Sequence, residues 1–523
     1  MNTTRPRASH VNTGTSIPRE ELAQPTTRGS VMRLPKLHTE VESDSKTTQL
    51  GGLVLVIAFL RQFAVAERLN ANVSVLKQHQ PYTESDHVLA QALNLYVGGT
   101  CIEDLAGLQH SEAVRRLLGA CRLPDPTTAG DFLRRFEPAE NPDALAGLRR
   151  AIDQIHSAVW NARMSGARKV KKKNKGRIKA NRKKQELAVI DMDGHYKEVY
   201  GVCKEGADFN HKGKWSYHPL LLTLAATGEC LATRNRPGSV RSSQGAAEVV
   251  DETLDYVRPH FKQVLLRGDS DFDRADLRAV CEKHDDCFFA FVGREFRDRP
   301  GIAESIPEEQ WRPFETRARR AAAVRSSKPG FRARRKRCNR RRQRARARGY
   351  KELRLVRQWK AEVPWTPPGS QHAYRLVIRR QLIEHNKGQT CLFQEYRYRY
   401  VVTNLPATVS TSRVIDLTYE RCDQENIIEQ MGSGLAAWRM PVGQFAGNSA
   451  WLEIARLAWN LAKWLAQLVL PEETIRWEWK RFRAAFVYLT VDVIKRSRQI
   501  WTRFSPSDDF YTDVLQAHQR LQC

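Results

Sequence analysis

Apolar positions change their period several times along the 523-residue chain, and each change predicts a change of architecture. Residues 1–48 are rich in Thr, Ser, Arg and Pro without a sustained apolar period, which predicts a flexible basic tail. Leu53, Val56, Leu60 and Phe63 then recur at helical spacing, and amphipathic stretches follow at about 85–97, 111–119 and 128–136. Residues 49–165 therefore read as an all-α domain. Within it, a helix over 111–119 and a second capped by Thr128 and carrying Arg134 and Arg135 permit a helix-turn-helix, DNA-binding reading. Ordinary helical packing explains the same pattern equally well.

Residues 186–292 alternate short apolar runs with helical periods. Strands are predicted near 187–191, 196–202, 217–225, 263–267 and 287–292, and helices near 244–257 and 274–284. This is a mixed α/β core. Residues 293–408 read as an inserted, basic and β-rich subdomain with strands at 374–382 and 391–403. The alternation Tyr396-Arg397-Tyr398-Arg399-Tyr400 suits a sheet face turned to nucleic acid, and suits equally a strand whose tyrosines pack inward. After Asp416 the pattern is helical to the end: 409–470 returns to the core with a broad apolar face from Trp451 to Leu468, and 471–523 forms a C-terminal helical region. Trp and basic residues alternate between Ile475 and Arg483, which suggests a helix rim facing DNA.

Charge narrows the partner. Lys and Arg number 86 against 58 Asp and Glu, a formal charge of +28, and a polyanion is the natural counterpart of such an imbalance. No apolar run approaches the roughly 18 residues that cross a bilayer, so no membrane role is expected. Ten scattered cysteines include no Cys-x-x-Cys pair, which speaks against a zinc module or a disulfide framework. A soluble, cytoplasmic protein is expected. The densest basic run, with Lys171, Lys172, Lys173 and Arg177 at its centre, fills 166–185 and reads as a linker lying along phosphates, the alternative being a solvated charge run. A second block spans 332–342.

Candidate chemistry sits where apolar runs break. Leu187-Ala188-Val189-Ile190 runs into Asp191-Met192-Asp193-Gly194, and Val264-Leu265-Leu266 runs into Arg267-Gly268-Asp269-Ser270-Asp271. In open α/β sheets ligands gather outside the carboxyl ends of strands. Phosphodiester transfer needs an activated oxygen and charge neutralisation at phosphorus, which two Mg²⁺ ions held by a few carboxylates supply. Asp191 and Asp193 share a strand face, and Asp193 at the glycine break is the favoured ligand. Asp269 is favoured over Asp271, and Asp273 reads as a helix cap. A third carboxylate is expected from a helix on which Arg421, Glu425 and Glu429 share a face. Arg421 and Glu425 suit a phosphate contact beside a metal ligand, and suit also a surface salt bridge.

In order, Asp193-Gly194, Lys212-Gly213-Lys214-Trp215-Ser216-Tyr217-His218-Pro219-Leu220, Arg267 to Phe272, Thr403-Asn404-Leu405 and Tyr419-x-Arg421-x-x-x-Glu425 resemble the DDE transposases of the IS4 superfamily, closest to the IS1380 family of bacterial insertion sequences. The resemblance covers about 190–500. It implies an RNase H-like mixed-sheet catalytic core with a β-rich insertion, preceded by an all-α DNA-binding domain and followed by C-terminal helices. It places the three metal-binding acids on Asp193, Asp269 and Glu425, and implies DNA contacts from Tyr419 and Arg421; Lys214 and Trp215 of the specific string are further candidates. The implied cofactor is Mg²⁺, with Mn²⁺ substituting. The implied partners are double-stranded DNA, as transposon ends and target, and further copies of the chain in a homodimer or larger synaptic assembly at the bacterial nucleoid. The implied activity is binding of terminal inverted repeats, cleavage of the ends and transfer of 3′-OH strands. A catalytically inactive DNA-binding descendant and a metal nuclease without strand transfer share most of these features. Two departures stand out: His195 follows the first acid and glycine where relatives carry Thr, and Gly432 stands beyond the glutamate where the superfamily often carries Lys.

Overall fold

Strand-forming runs from nine places in the chain meet in one sheet. In chain order they are β1 (Leu187–Gly194), β2 (Leu220–Leu224), β3 (Glu229–Arg234), β4 (Gln263–Gly268), β5 (Cys287–Gly293), β6 (Arg312–Pro313), β7 (Lys351–Trp365), β8 (Tyr374–Lys387) and β9 (Thr390–Thr403). The computed structural model describes residues 46–173, 186–295, 298–316, 351–368, 370–387, 390–497, 499–506 and 508–522. Across the sheet the order is β6-β7-β8-β9-β5-β4-β1-β2-β3. β4 lies parallel to both β1 and β5, and the remaining neighbours are antiparallel. Parallel neighbours need a crossover, and helices α1 (Ala246–Val257) and α2 (Ala275–Glu282) provide the chain's route from β3 to β4 and from β4 to β5.

The period of two sorts the side chains onto two faces. Ala188, Ile190 and Met192 of β1 and Val264 and Leu266 of β4 share a core with Val250 of α1 and Leu277 of α2. On the opposite face Leu265, Ala290, Val377 and Val401 pack with Val414 and Ile415 of α3 (Thr411–Tyr419). Next along this second face stand Asp191 and Arg267, which are partners in register and both buried. Arg267 donates from Nε and Nη2 to the two Asp191 carboxylate oxygens at 2.6 and 2.7 Å, and from Nη1 to the Leu417 carbonyl at 2.7 Å.

These strands belong to a unit formed by Trp160–Glu429 and Gly443–Phe445. The other unit takes in the chain up to Val159, Gln430–Val442 and Ala446 onward. Its centre is the helix Phe445–Leu468, buried along nearly its whole length, including a polar stripe of Glu453, Arg456, Asn460 and Lys463 in which Glu453 pairs with Arg149 and Arg456 with Asp153; Trp464 stacks on Phe59 and Trp459 on Trp479, with centroids 5.6 and 5.5 Å apart. Among the described residues no helix is long and apolar enough to cross a membrane.

Several expectations are corrected. The helix Pro126–Arg134 is capped by Asp125, whose carboxylate accepts from the Thr128 amide, rather than by Thr128. The C-terminal region is not helical throughout: Val491–Arg496 and Gln499–Phe504 form a hairpin, and Thr47–Thr48 from the expected tail add a third strand. The alternation in Val491-Asp492-Val493-Ile494 favours a strand, and Val491 and Val493 are buried. Trp479, expected near a DNA-facing rim, is buried. β7 had no counterpart in the reading of the sequence because its Lys, Arg and Glu residues mask a period of two, and the stretch 196–202 contributes only Lys197–Glu198, to a small sheet with Asp208–Phe209 and Trp215–Tyr217. The block 332–342 lies outside the described residues.

Removing one partner of a buried ion pair leaves an uncompensated charge in the interior. Asp191→Ala is therefore expected to destabilise the protein by about 3–5 kcal/mol. Urea unfolding would show this as a lowered midpoint; an unchanged midpoint would remove the pair from its structural role.

Candidate active site

Parallel register places the first two candidate acids side by side. Asp191 is opposite Arg267, so two residues further along the parallel strands Asp193 is the penultimate residue of β1 and Asp269 follows β4, on the same face and at the same edge. Asp193 accepts a hydrogen bond from the Gly194 amide at 2.8 Å, and Asp269 accepts from the Asp271 amide at 2.8 Å as the cap of the short 3-10 turn Ser270–Phe272.

The third acid arrives on α4 (Cys422–Ser433), and Gln424 fixes that helix to the sheet. Its buried side-chain amide donates to the Asp191 carbonyl at 3.0 Å and the Leu221 carbonyl at 3.4 Å. Just before the helix, Arg421 donates to the Met192 carbonyl at 3.1 Å and lies 3.5 Å from the Asp193 carboxylate. Glu425, exposed and in the first turn, adds its negative charge to the surroundings of Asp193. A first-turn carboxylate is also favoured by the helix dipole.

The electrostatics follow from this gathering. Burial pushes the Asp193 carboxyl up to about 6; Arg421 pulls it down, while Asp269 and Glu425 push it further up. The Asp269 carboxyl is raised as well, again chiefly by burial, against the opposing pull of the Asp271 amide and Arg421. One guanidinium thus serves two carboxylates, and its Nε has no partner among the described residues. Among those residues no group of three or more His, Cys, Asp or Glu side chains stands ready to hold a metal ion. The donor chemistry nevertheless fits a hard cation: the acids are all oxygen donors, and Mg²⁺ keeps much of its own water. Acids whose mutual repulsion impedes ionisation are also relieved by a cation.

Gly194 has a steric reason. A Cβ there would lie 2.5 Å from His218 Nε2 and 3.3 Å from Arg236 Nη2. His218 is buried, stacks on Tyr196 with centroids 3.7 Å apart, and bonds through Nδ1 to the Val240 carbonyl at 2.8 Å. Arg236 is held by the carbonyls of His218, Ser242 and Gln244 at 2.9, 2.8 and 2.6 Å, and burial lowers its pKa to about 10. Neither residue's part in supporting the strand end was read from the sequence, although His218 lies within the specific string and Arg236-Pro237-Gly238 carries turn residues.

The family model for the transposase DDE domain, group 1, matches residues 38–523. The chain belongs to this transposase family. The transposase also has a likeness to a solved piggyBac transposase synaptic complex with hairpin DNA, at 10% identity over 84% of this chain and 81% of that one, with a TM-score of 0.33. A likeness that loose decides nothing about chemistry. No curated protein matches the chain.

In the transposase, the other anticipated residues have partners of their own or lie at element ends. Lys214, just before the small sheet's strand Trp215–Tyr217, pairs with Glu198 at 2.7 Å, and Trp215 packs edge-on to Phe209. Tyr419 ends α3 beneath the guanidinium of Arg379, 4.4 Å from its ring centroid. Lys171, Lys172 and Lys173 end the helix Ala144–Lys173, and Arg177 lies outside the described residues. Asp271 pairs with Arg294. Asp273 is not a cap but a buried carboxylate that pairs with Arg278 at 2.5 Å and Arg299 at 2.7 Å. At Gly432 a Cβ would lie 2.5 Å from Trp438 Cδ1, so lysine is excluded while Trp438 keeps its position.

The raised Asp193 pKa carries a sign. Its contribution to stability is present below the usual 3.8 and is lost as pH rises through about 6, so at neutral pH the carboxylate is a burden on the metal-free fold. Asp193→Asn should stabilise the metal-free protein at pH 7.5, by at most about 3 kcal/mol at 1.36 kcal/mol per unit. The gain should shrink as pH falls towards 4, and thermal melts across that range would measure it. A variant less stable than wild type at pH 7.5 would contradict this charge balance.

Proposed function

We propose that this transposase binds the terminal inverted repeats of its own insertion sequence, cleaves at the ends and transfers the freed 3′-OH strands to target DNA. In this reading Asp193, Asp269 and Glu425 hold Mg²⁺, for which Mn²⁺ would substitute. The observation that carries it is the parallel register that sets Asp193 beside Asp269 where Gln424 pins the helix bearing Glu425. The order β3-β2-β1-β4-β5, antiparallel among the first three strands and parallel from β1 through β5, supports an RNase H-like core. The string Lys212 to Leu220, whose His218 packs against Gly194, supports assignment to the IS1380 family within the IS4 superfamily.

When bound, the divalent cations would activate the attacking oxygen and neutralise charge at phosphorus. The chain's own residues do the positioning. Arg421 would exchange its long contact with Asp193 for a non-bridging phosphate oxygen, releasing the carboxylate to its cation. In cleavage a water oxygen gives up a proton and forms a bond to phosphorus as the P–O3′ bond breaks and the leaving oxygen takes up a proton; in joining, that 3′ oxygen gives up its proton and bonds to a target phosphorus as the target's own P–O3′ bond breaks and its leaving 3′ oxygen takes up a proton. Two ends must be processed together, so a dimer or larger assembly at the nucleoid is part of the proposal. Gly432 is accounted for by Trp438 packing and therefore does not favour the inactive descendant.

Purified protein with Mg²⁺ and DNA carrying the ends that flank its gene should give cleaved and joined products. Asp269→Ala and Glu425→Ala should each lower cleavage by roughly a thousandfold or more, the scale of losing a principal transition-state stabiliser, while end binding persists. Cleavage surviving in Asp269→Ala would defeat the triad. End binding without cleavage by wild type would favour the inactive descendant, and cutting without joining the nuclease.

A further inference from the structure

Beyond the three acids, the second face of the sheet carries a charge arrangement that strand pairing disfavours. Lys360 of β7, Arg379 of β8 and Arg399 of β9 are direct cross-strand partners, so three cations form one row. Like charges directly opposite one another destabilise a sheet. The nearest carboxylates are engaged mainly elsewhere, although Glu362 also feels the charge of Lys360. One row inward, Glu362 binds Arg375 at 2.7 and 2.8 Å and accepts from Thr411; further out, Glu395 pairs with Arg397 and His385. Lys360 donates to the Ser412 hydroxyl, Arg379 lies over the Tyr419 ring with its Nε unpartnered among the described residues, and Arg399 is exposed.

Register relates this row to the acids. Arg267, Ala290 and Thr403 are partners across β4, β5 and β9, which puts them on the face of Asp193 and Asp269. One residue past the Gly268–Phe291 pair, Asp269 is level with Val292 and thus with Val401. Arg399 is the next residue outward on that face, two strand spacings or roughly 10 Å across the sheet from Asp269. The neighbouring Asp271–Arg294 pair is already neutral. The tyrosines of β9 occupy the other face, where Trp311, Trp359 and Tyr396 surround Arg380 at 4.4, 4.9 and 5.0 Å.

We propose that the row Lys360–Arg379–Arg399 seats the DNA phosphodiester backbone, holding a phosphate within a few nucleotides of the scissile one. This rests on the proposed function, and charge complementarity selects the occupant: a polyanion at phosphate spacing relieves all three cations together. Tyr419, stacked under Arg379 and two residues before Arg421, links the seat to the acids.

The test is fluorescence-anisotropy binding of the full chain to end-bearing and scrambled duplexes without Mg²⁺ over a salt series. Arg399→Ala should weaken both duplexes several-fold and flatten the slope of log K against log salt by about 0.9, the loss of one phosphate contact. Arg399→Lys should keep the slope. Arg354→Ala, on the other face and paired with Glu384, should match wild type. A purely structural role predicts a lower melting temperature for Arg399→Ala, whereas a phosphate seat predicts an unchanged or higher one. Wild-type affinity and slope in Arg399→Ala would overturn this inference alone. Failure of wild type to bind either duplex would overturn the proposed function and the seat together.

Discussion

The arrangement of the sheet depends on one buried guanidinium. Arg267 spends its hydrogen bonds on Asp191 of the neighbouring parallel strand and on the Leu417 carbonyl, so it ties β1, β4 and α3 at a single point. A slip of one residue between β1 and β4 would turn Asp191 away from Arg267 and bury both charges unpaired. Two apolar residues could fill the same space with comparable stability, but they would tolerate neighbouring registers. The ion pair tolerates one, and in that register Asp193 and Asp269 are adjacent. Because the Leu417 carbonyl belongs to α3, the same bond set constrains the approach of the chain to Arg421 and α4.

Two clusters of like charge share that face. At its edge Asp269 helps raise the pKa of Asp193, and outward of them Lys360, Arg379 and Arg399 stand in one row. Each cluster opposes folding by itself. Arg421 compensates one in part, reaching Asp193 at 3.5 Å, too long for a strong charge-assisted bond. Local rules for sheet pairing and for buried charge are both broken within a few residues, and such concentrated violations are characteristic of places where a protein meets its ligands.

What the sequence revealed depended on whether a residue's role was local. β1, β4 and β5 were legible as apolar runs, and the glycine breaks after β1 and β4 pointed to Asp193 and Asp269 before any contact was known. Asp273 looked like a cap because caps are a local pattern, whereas its partner Arg299 is supplied from beyond β5. Gln424 carried no signal, because its bonds are to carbonyls of distant segments, and the turn residues beside Arg236 did not reveal that its guanidinium binds the His218, Ser242 and Gln244 carbonyls. The C-terminal hairpin was obscured by flanking helices, and its third strand comes from the opposite end of the chain.

The alternating Tyr and Arg residues of β9 show why period alone cannot assign a face. A period of two states that Tyr398 and Arg399 point opposite ways, and nothing in it says which way is inward. On this strand both faces are occupied near the core: Val402 joins one apolar cluster and Val401 the other. Further out, the aromatic face closes around Arg380, which bonds Glu308 at 2.8 and 2.5 Å and so has its charge matched. On the other face α3 covers Val401 and reaches the next row through Ser412, at Lys360, and Tyr419, at Arg379, while Arg399 of that row is exposed. The reach of α3, rather than the strands' own pattern, therefore decides which cation of the row is held against the fold, as Arg379 is, and which faces outward, as Arg399 does.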